Sequence, residues 1–158
     1  HMNGSDGSTT FTDSSDVGRT FTAAGNAQID TAQYKFGGAS GLFDGTGDYI
    51  TAPNSADFNF GVGDFTIEAW VRLNAGQWYH CAATREGTSF RVFLDGVLED
   101  TTVISGAILD ENSALFTVGH GAVPVRYHNG WIDDLRITKG LARYTATFTP
   151  PSAELPNT

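Results

Sequence analysis

Phe65-Thr66-Ile67-Glu68-Ala69-Trp70-Val71-Arg72-Leu73 alternates strictly in residue class. Successive side chains of an extended strand point to opposite faces. Phe65, Ile67, Ala69, Val71 and Leu73 therefore share one face. Thr66, Glu68, Trp70 and Arg72 share the other. Burying a large apolar side chain is worth about 1.5–3 kcal/mol, so the apolar five are expected against a core, with their neighbours left free. The next apolar run, Trp78 to Arg85, begins after only Asn74-Ala75-Gly76-Gln77. A connection that short predicts an antiparallel hairpin.

The same signals repeat outward from this pair. Phe90 to Leu94 alternates, and Asp95-Gly96 is a turn dipeptide leading into Val97-Leu98. Strands are also expected at Thr20–Ala23, Gln28–Asp30, Ser40–Phe43, Tyr49–Thr51, Ala114–Val118 and Trp131–Thr138. No stretch has a helix-length amphipathic period, and no internal repeat is visible. The expected fold is all-β, a sandwich of two antiparallel sheets. At 158 residues the chain suits one domain. Its net charge of −9, with seven Arg and two Lys, argues against a nucleic-acid partner. No apolar run approaches the roughly 18 residues of a membrane span. The single Cys81 has no partner for an internal disulfide, and the bland reading is a small strand side chain. No secretory signal is seen, and His1-Met2 reads as a cloning remnant or as native sequence cut from a longer protein.

Asp133 and Asp134 stand back to back inside an apolar strand. They must point to opposite faces, or the strand must bulge there. A buried carboxylate needs a partner, and the candidates are Arg136, Arg143 or a cation. Asp44-Gly45-Thr46-Gly47-Asp48 reads either as a tight glycine turn with Asp caps, or as a loop that wraps a cation or meets sugar hydroxyls. The polar set Glu68, Trp70 and Arg72 has the composition of a sugar site: ring faces pack on axial C–H groups while charged planes bond paired hydroxyls. The opposing reading makes Trp70 and Trp78 packing residues. Gly119 to Gly130 holds His120, Arg126, Tyr127 and His128, and is expected to be a solvated rim loop where binding residues gather.

Phe43-Asp44-Gly45-Thr46-Gly47-Asp48-Tyr49-Ile50, Gly63 to Glu68, Trp78-Tyr79-His80, Phe93-Leu94-Asp95-Gly96-Val97 and Ile132 to Ile137 together resemble laminin-G-like jelly-roll domains of the concanavalin A-like superfamily. Thr138-Lys139-Gly140 and Ala142-Arg143-Tyr144 resemble the copies found in phage tail and bacterial surface proteins. The resemblance implies a jelly roll over residues 1–151, a tail over 152–158, and an extracellular or virion setting. It also implies a structural calcium ion at Asp133, with Asn3 and Asp6 from the N-terminal segment. Asp48 is carried as a further metal candidate. Family members usually place about two more strands between the Phe65–Leu73 strand and the Trp78 strand. Their lack is expected to expose a sheet edge or face, covered by a rearranged segment or by another chain in a homo-oligomer.

The expected function is a non-catalytic, lectin-like module that recognises a glycan through Glu68, Trp70, Arg72, His120, Tyr127 and His128. The alternative is a structural or protein-interaction domain acting in assembly, without a sugar ligand. Catalysis is not expected. Glu68 is the only acid in its strand, and sandwich glycosidases need paired carboxylates across a cleft.

Overall fold

A computed structural model describes residues 1–74, 76–108, 115–122 and 125–156. The strands are β1 (Thr10–Thr12), β2 (Thr20–Ala24), β3 (Gln28–Asp30), β4 (Ser40–Asp44), β5 (Tyr49–Ala52), β6 (Phe65–Leu73), β7 (Trp78–Glu86), β8 (Ser89–Leu94), β9 (Val97–Val103), β10 (Phe116–Val118), β11 (His120–Ala122), β12 (Val125–Tyr127) and β13 (Asn129–Lys139). The helical content of the described residues is one 3₁₀ turn, Ala56–Phe58, capped by the Ser55 hydroxyl, which accepts from Asp57 N.

A seven-stranded sheet runs β3-β4-β13-β6-β7-β8-β9, and a four-stranded sheet runs β1-β2-β5-β10. All ladders are antiparallel. The two sheets form a sandwich consistent with a jelly roll. Phe11 and Ile50 of the small sheet meet Ile29, Phe43, Ala69 and Ile132 of the large one, with Val118 beside them. The β6–β7 hairpin forms as the short connection requires. At Asp95-Gly96 both φ angles are positive, 48° and 77°, which matches the two-residue hairpin turn that continues strand twist.

The alternation in β6 is correct, but its assignment to inside and outside is only half right. Phe65 and Ala69 are buried, while Leu73 is 56% exposed. Thr66, Glu68 and Trp70, expected free, are buried instead. The reason is a second cover. After β13 the chain returns as a strap, residues 141–155, across the outer face of the large sheet. Thr66 Oγ1 donates to Leu141 O at 2.9 Å and accepts from Arg143 N at 2.8 Å. Thr84 Oγ1 donates to Tyr144 O at 2.8 Å, and Phe148 N donates to Gly96 O at 2.9 Å. The strap stays on the domain as far as Leu155, which is buried and donates its N–H to Asp134. Residues 152–158, expected as an emerging tail, are thus packed at least to that point.

The acid pair resolves as a bulge. The β13–β6 register shifts between Asp133 and Arg136, and Asp134 sits at φ 52°. Both carboxylates end up buried.

The four-residue β6–β7 connection leaves the predicted gap. Beyond the part covered by the small sheet, the inner face of β6, β7 and β8 forms an open depression of about 350 Å³ lined by Ile67, Ala69, Cys81, Ala83, Val92 and Leu94. Val92 is 40% and Leu94 41% exposed. No charged side chain stands in its lining apart from Glu68, which points to the other face through its strap contacts.

Candidate functional site

Glu68 is the centre of the strap's attachment. Its Oε1 accepts from Arg136 Nε at 3.0 Å and Nη2 at 2.7 Å. Its Oε2 accepts from the Tyr144 hydroxyl at 2.8 Å and meets His80 Nε2 at 3.2 Å. Burial pushes the carboxyl pKa up, but the bonds from His80, Arg136 and Tyr144 outweigh it and hold the group below its usual range. Burial and the bond to Glu68 push the Tyr144 hydroxyl well up. Trp70 lies beside this cluster, with the Lys35 ammonium 3.8 Å from its ring centroid and the Phe36 and His80 rings edge-on. Tyr144 stacks on Phe148 at 3.6 Å. Glu68 and Trp70 are therefore not a sugar surface. The sequence places charge and an indole on one face, and the fold spends them on its own C-terminal strap.

Arg72, the third member of that set, stays half-buried at the sheet's end. Its guanidinium lies 4.7 Å over the Trp131 ring. Trp131 Nε1 in turn donates to Asp30 at 2.6 Å.

The expected calcium ligands each have protein partners of their own. Asp133 Oδ2 accepts from Lys35 N at 2.9 Å and Phe36 N at 3.0 Å, and Oδ1 accepts from Asp134 N at 2.7 Å. Its oxygens thus serve backbone amides of the 31–38 loop and the bulge. Burial raises its pKa despite those amides, with Asp134 adding to the rise. Asp134 is also raised, by burial first, against the Leu155 amide. It pairs with His1 Nδ1 at 2.5 Å. Asp6 accepts from Thr31 N and Oγ1. Asn3 donates to Glu154 at 2.8 Å. Asp48 belongs to another turn altogether. The described residues contain no group of three or more His, Cys, Asp or Glu arranged to hold a metal. Asp133 spends both oxygens on backbone amides, whereas a hard cation takes about six to eight oxygen ligands.

Asp48 braces two turns at the sandwich rim. Its Oδ1 accepts from Asn26 N at 2.7 Å and its Oδ2 from Asp44 N at 2.9 Å. Asp44 Oδ1 accepts from Thr46 N at 2.7 Å. The Asn26 side chain, its amide oriented to donate, reaches Asp44 Oδ2 at 3.2 Å and Asp48 Oδ1 at 3.0 Å. This is the capped glycine turn of the two sequence alternatives.

Beside that turn lies an aromatic stack. Within the stretch expected as a loop, β11 and β12 pair as a two-stranded ribbon, with His120 opposite Tyr127. The Val118–Ile50 pairing sets the ribbon next to β5, so Tyr49 joins it. His120 lies 5.2 Å from Tyr49 and 5.1 Å from Tyr127, and the two tyrosines are 6.5 Å apart. The three rings lie within 34° of parallel. Tyr127 is 36% exposed. His128 turns the other way. Its ring meets Phe43 edge-on, its Nε2 faces Trp131 O at 3.3 Å, and burial lowers its pKa. Of the six expected sugar contacts, the fold thus brings His120 and Tyr127 together, and supplies Tyr49, which sequence reading left unassigned. The ribbon's alternation was too short and too rich in glycine to register as strand.

Residues 72–142 match a laminin-G-type family of the concanavalin A-like lectin/glucanase superfamily. The matched segment spans the β7–β8–β9 meander, the ribbon, β13 and the start of the strap, including Tyr127, His80 and Arg136. Comparison with curated proteins and with solved structures finds no match.

Proposed function

We propose that this domain is a non-catalytic glycan-recognition module whose site is the rim formed by the Asp44–Asp48 turn and the β11–β12 ribbon. The observation that carries the reading is the near-parallel slab of Tyr49, His120 and Tyr127 beside Asp44 and Asn26. Aromatic faces take the C–H surface of a pyranose ring, while a carboxylate and an amide meet its hydroxyls. Asp44 is exposed and fixed by its own turn, so it is preorganised to accept. A glycan array, followed by fluorescence titration of each hit, tests the reading. Tyr127→Ala is expected to weaken binding about tenfold, the loss of one stacking face, with no change in melting temperature. An array silent across acidic and neutral glycans rejects the proposal.

A second reading, assembly, has its own observation in the bare apolar strip on β6, β7 and β8. Apolar surface of this kind is normally covered. β9 beside it is the terminal strand of the large sheet. If the strip is an interface between copies, light scattering at micromolar concentration shows a dimer or larger species, and Val92→Lys with Leu94→Lys converts it to monomer. A wild-type monomer under those conditions removes this reading.

A further inference from the structure

A cavity of about 340 Å³ opens between the two sheets, away from both the rim and the bare strip. Its walls include Phe11, Phe21, Ile50, Phe58, Leu135 and Ile137. The bulge at Asp134 creates the inner wall, because it resets β13 so that Leu135 and Ile137 face the small sheet. Phe11 and Phe21 are register partners on the opposite wall. Phe58, held by the Ser55-capped turn, stacks on Phe116 at 4.3 Å and closes one side.

The mouth carries charge of a particular kind. Arg19 is neutralised twice, by Asp13 at 3.3 Å and by Asp57 at 2.5 Å. Lys139 has no such close pair: its ammonium donates to Ala56 O at 2.6 Å and makes no ion pair among the described residues, with the Asp57 carboxylate acting on it only at longer range. An ammonium has three donors, so donor capacity remains beside an apolar chamber. The volume lies at the lower end of the roughly 300–1,000 Å³ typical of small-molecule sites.

We propose that this inter-sheet cavity binds a small amphiphile: an apolar body between Phe11, Phe21, Phe58, Leu135 and Ile137, with one carboxylate at Lys139. The site shares no residue with the glycan rim, so the two stand or fall separately.

Isothermal titration with decanoate and with decan-1-ol, each below its aggregation limit, tests this on the full chain. Wild type is expected to bind decanoate with one site and more tightly than the alcohol. Lys139→Ala, at an exposed position, is expected to weaken decanoate about tenfold, as loss of a charged hydrogen bond does, and to leave the alcohol unchanged. Ile137→Phe fills the chamber and is expected to abolish both; its fold is checked by its thermal transition. Absence of decanoate binding at millimolar concentration overturns the proposal. So does equal affinity of wild type and Lys139→Ala for decanoate, which places the head group elsewhere. Undiminished binding to a folded Ile137→Phe also overturns it, by placing the ligand outside the chamber.

Discussion

Replacing Glu68 by alanine is expected to cost about 3–5 kcal/mol of stability, because it removes one side of a buried charge cluster and strands the other. Arg136 loses both of its carboxylate bonds, and Tyr144 and His80 lose theirs. Among the described residues, His80 Nδ1 and Arg136 Nη1 already lack hydrogen-bond partners, so none of these stands ready to compensate. Glu68→Gln keeps the shape and one acceptor and is expected to lose less. Urea denaturation at neutral pH measures both. The same titration repeated against pH separates the charge contribution. The native state holds Glu68 below its usual pKa, so the unfolded chain takes up that proton first. Stability from Glu68 is therefore complete above about pH 4.3 and falls as pH drops through the native value. Asp133 and Asp134 act oppositely. Their native pKa values are raised, so acidification from neutrality first adds stability as they protonate in the folded state. Wild type is expected to be most stable in mild acid and to fall steeply below it. Glu68→Gln is expected to keep the rise and lose much of the fall. A fall of equal steepness in both proteins would show that Glu68 is not the titrating group.

Gly96→Ala is expected to cost about 2 kcal/mol or more and to release the strap. Two effects add. An L side chain at φ 77° is strained by about 1–2 kcal/mol. A Cβ there also runs into the Phe148 carbonyl oxygen and the Pro150 ring, both on the strap. Gly87→Ala is the matched control. Its φ is 57°, but nothing lies within 4 Å of the added carbon. It is expected to show the backbone strain alone, about 1 kcal/mol. Limited proteolysis near residue 147 distinguishes them: Gly96→Ala is cut faster than wild type under native conditions, and Gly87→Ala is not. Equal protection of all three proteins would mean that the strap is held by Tyr144 and Thr66 alone.

The hairpins of this sandwich were legible because their signals are local. The Phe65–Leu73 alternation, the Asn74–Gln77 connection and Asp95-Gly96 each dictate a neighbouring pair. What failed was the choice of face. Alternation says which side chains stand together, and it cannot say that a segment 75 residues downstream will return to cover the polar set. Glu68 and Trp70 read as binding chemistry and Arg136 as a partner for the acid pair; their meeting with His80 and Tyr144 is a long-range event. The acid pair at 133–134 was read as opposite-facing or bulged, and the register shows the bulge. Its partners are backbone amides, which leave no trace in side-chain spacing. Tyr49 escaped notice for a related reason, since only the β5–β10 register carries it to His120. The bare strip, by contrast, was foreseeable from the brevity of one connection.

The β11–β12 ribbon is a sheet of its own, hydrogen-bonded as a ladder only to itself. The residues that fix the strap and the residues on the ribbon have no side chain in common. Selection can therefore rewrite Tyr127 or Arg126 without taxing the buried cluster, and conversely can tune thermal resistance at Glu68 without altering what the tip touches. If the rim binds as proposed, such a domain is suited to retargeting in which the scaffold is kept and only the fingertip changes its taste.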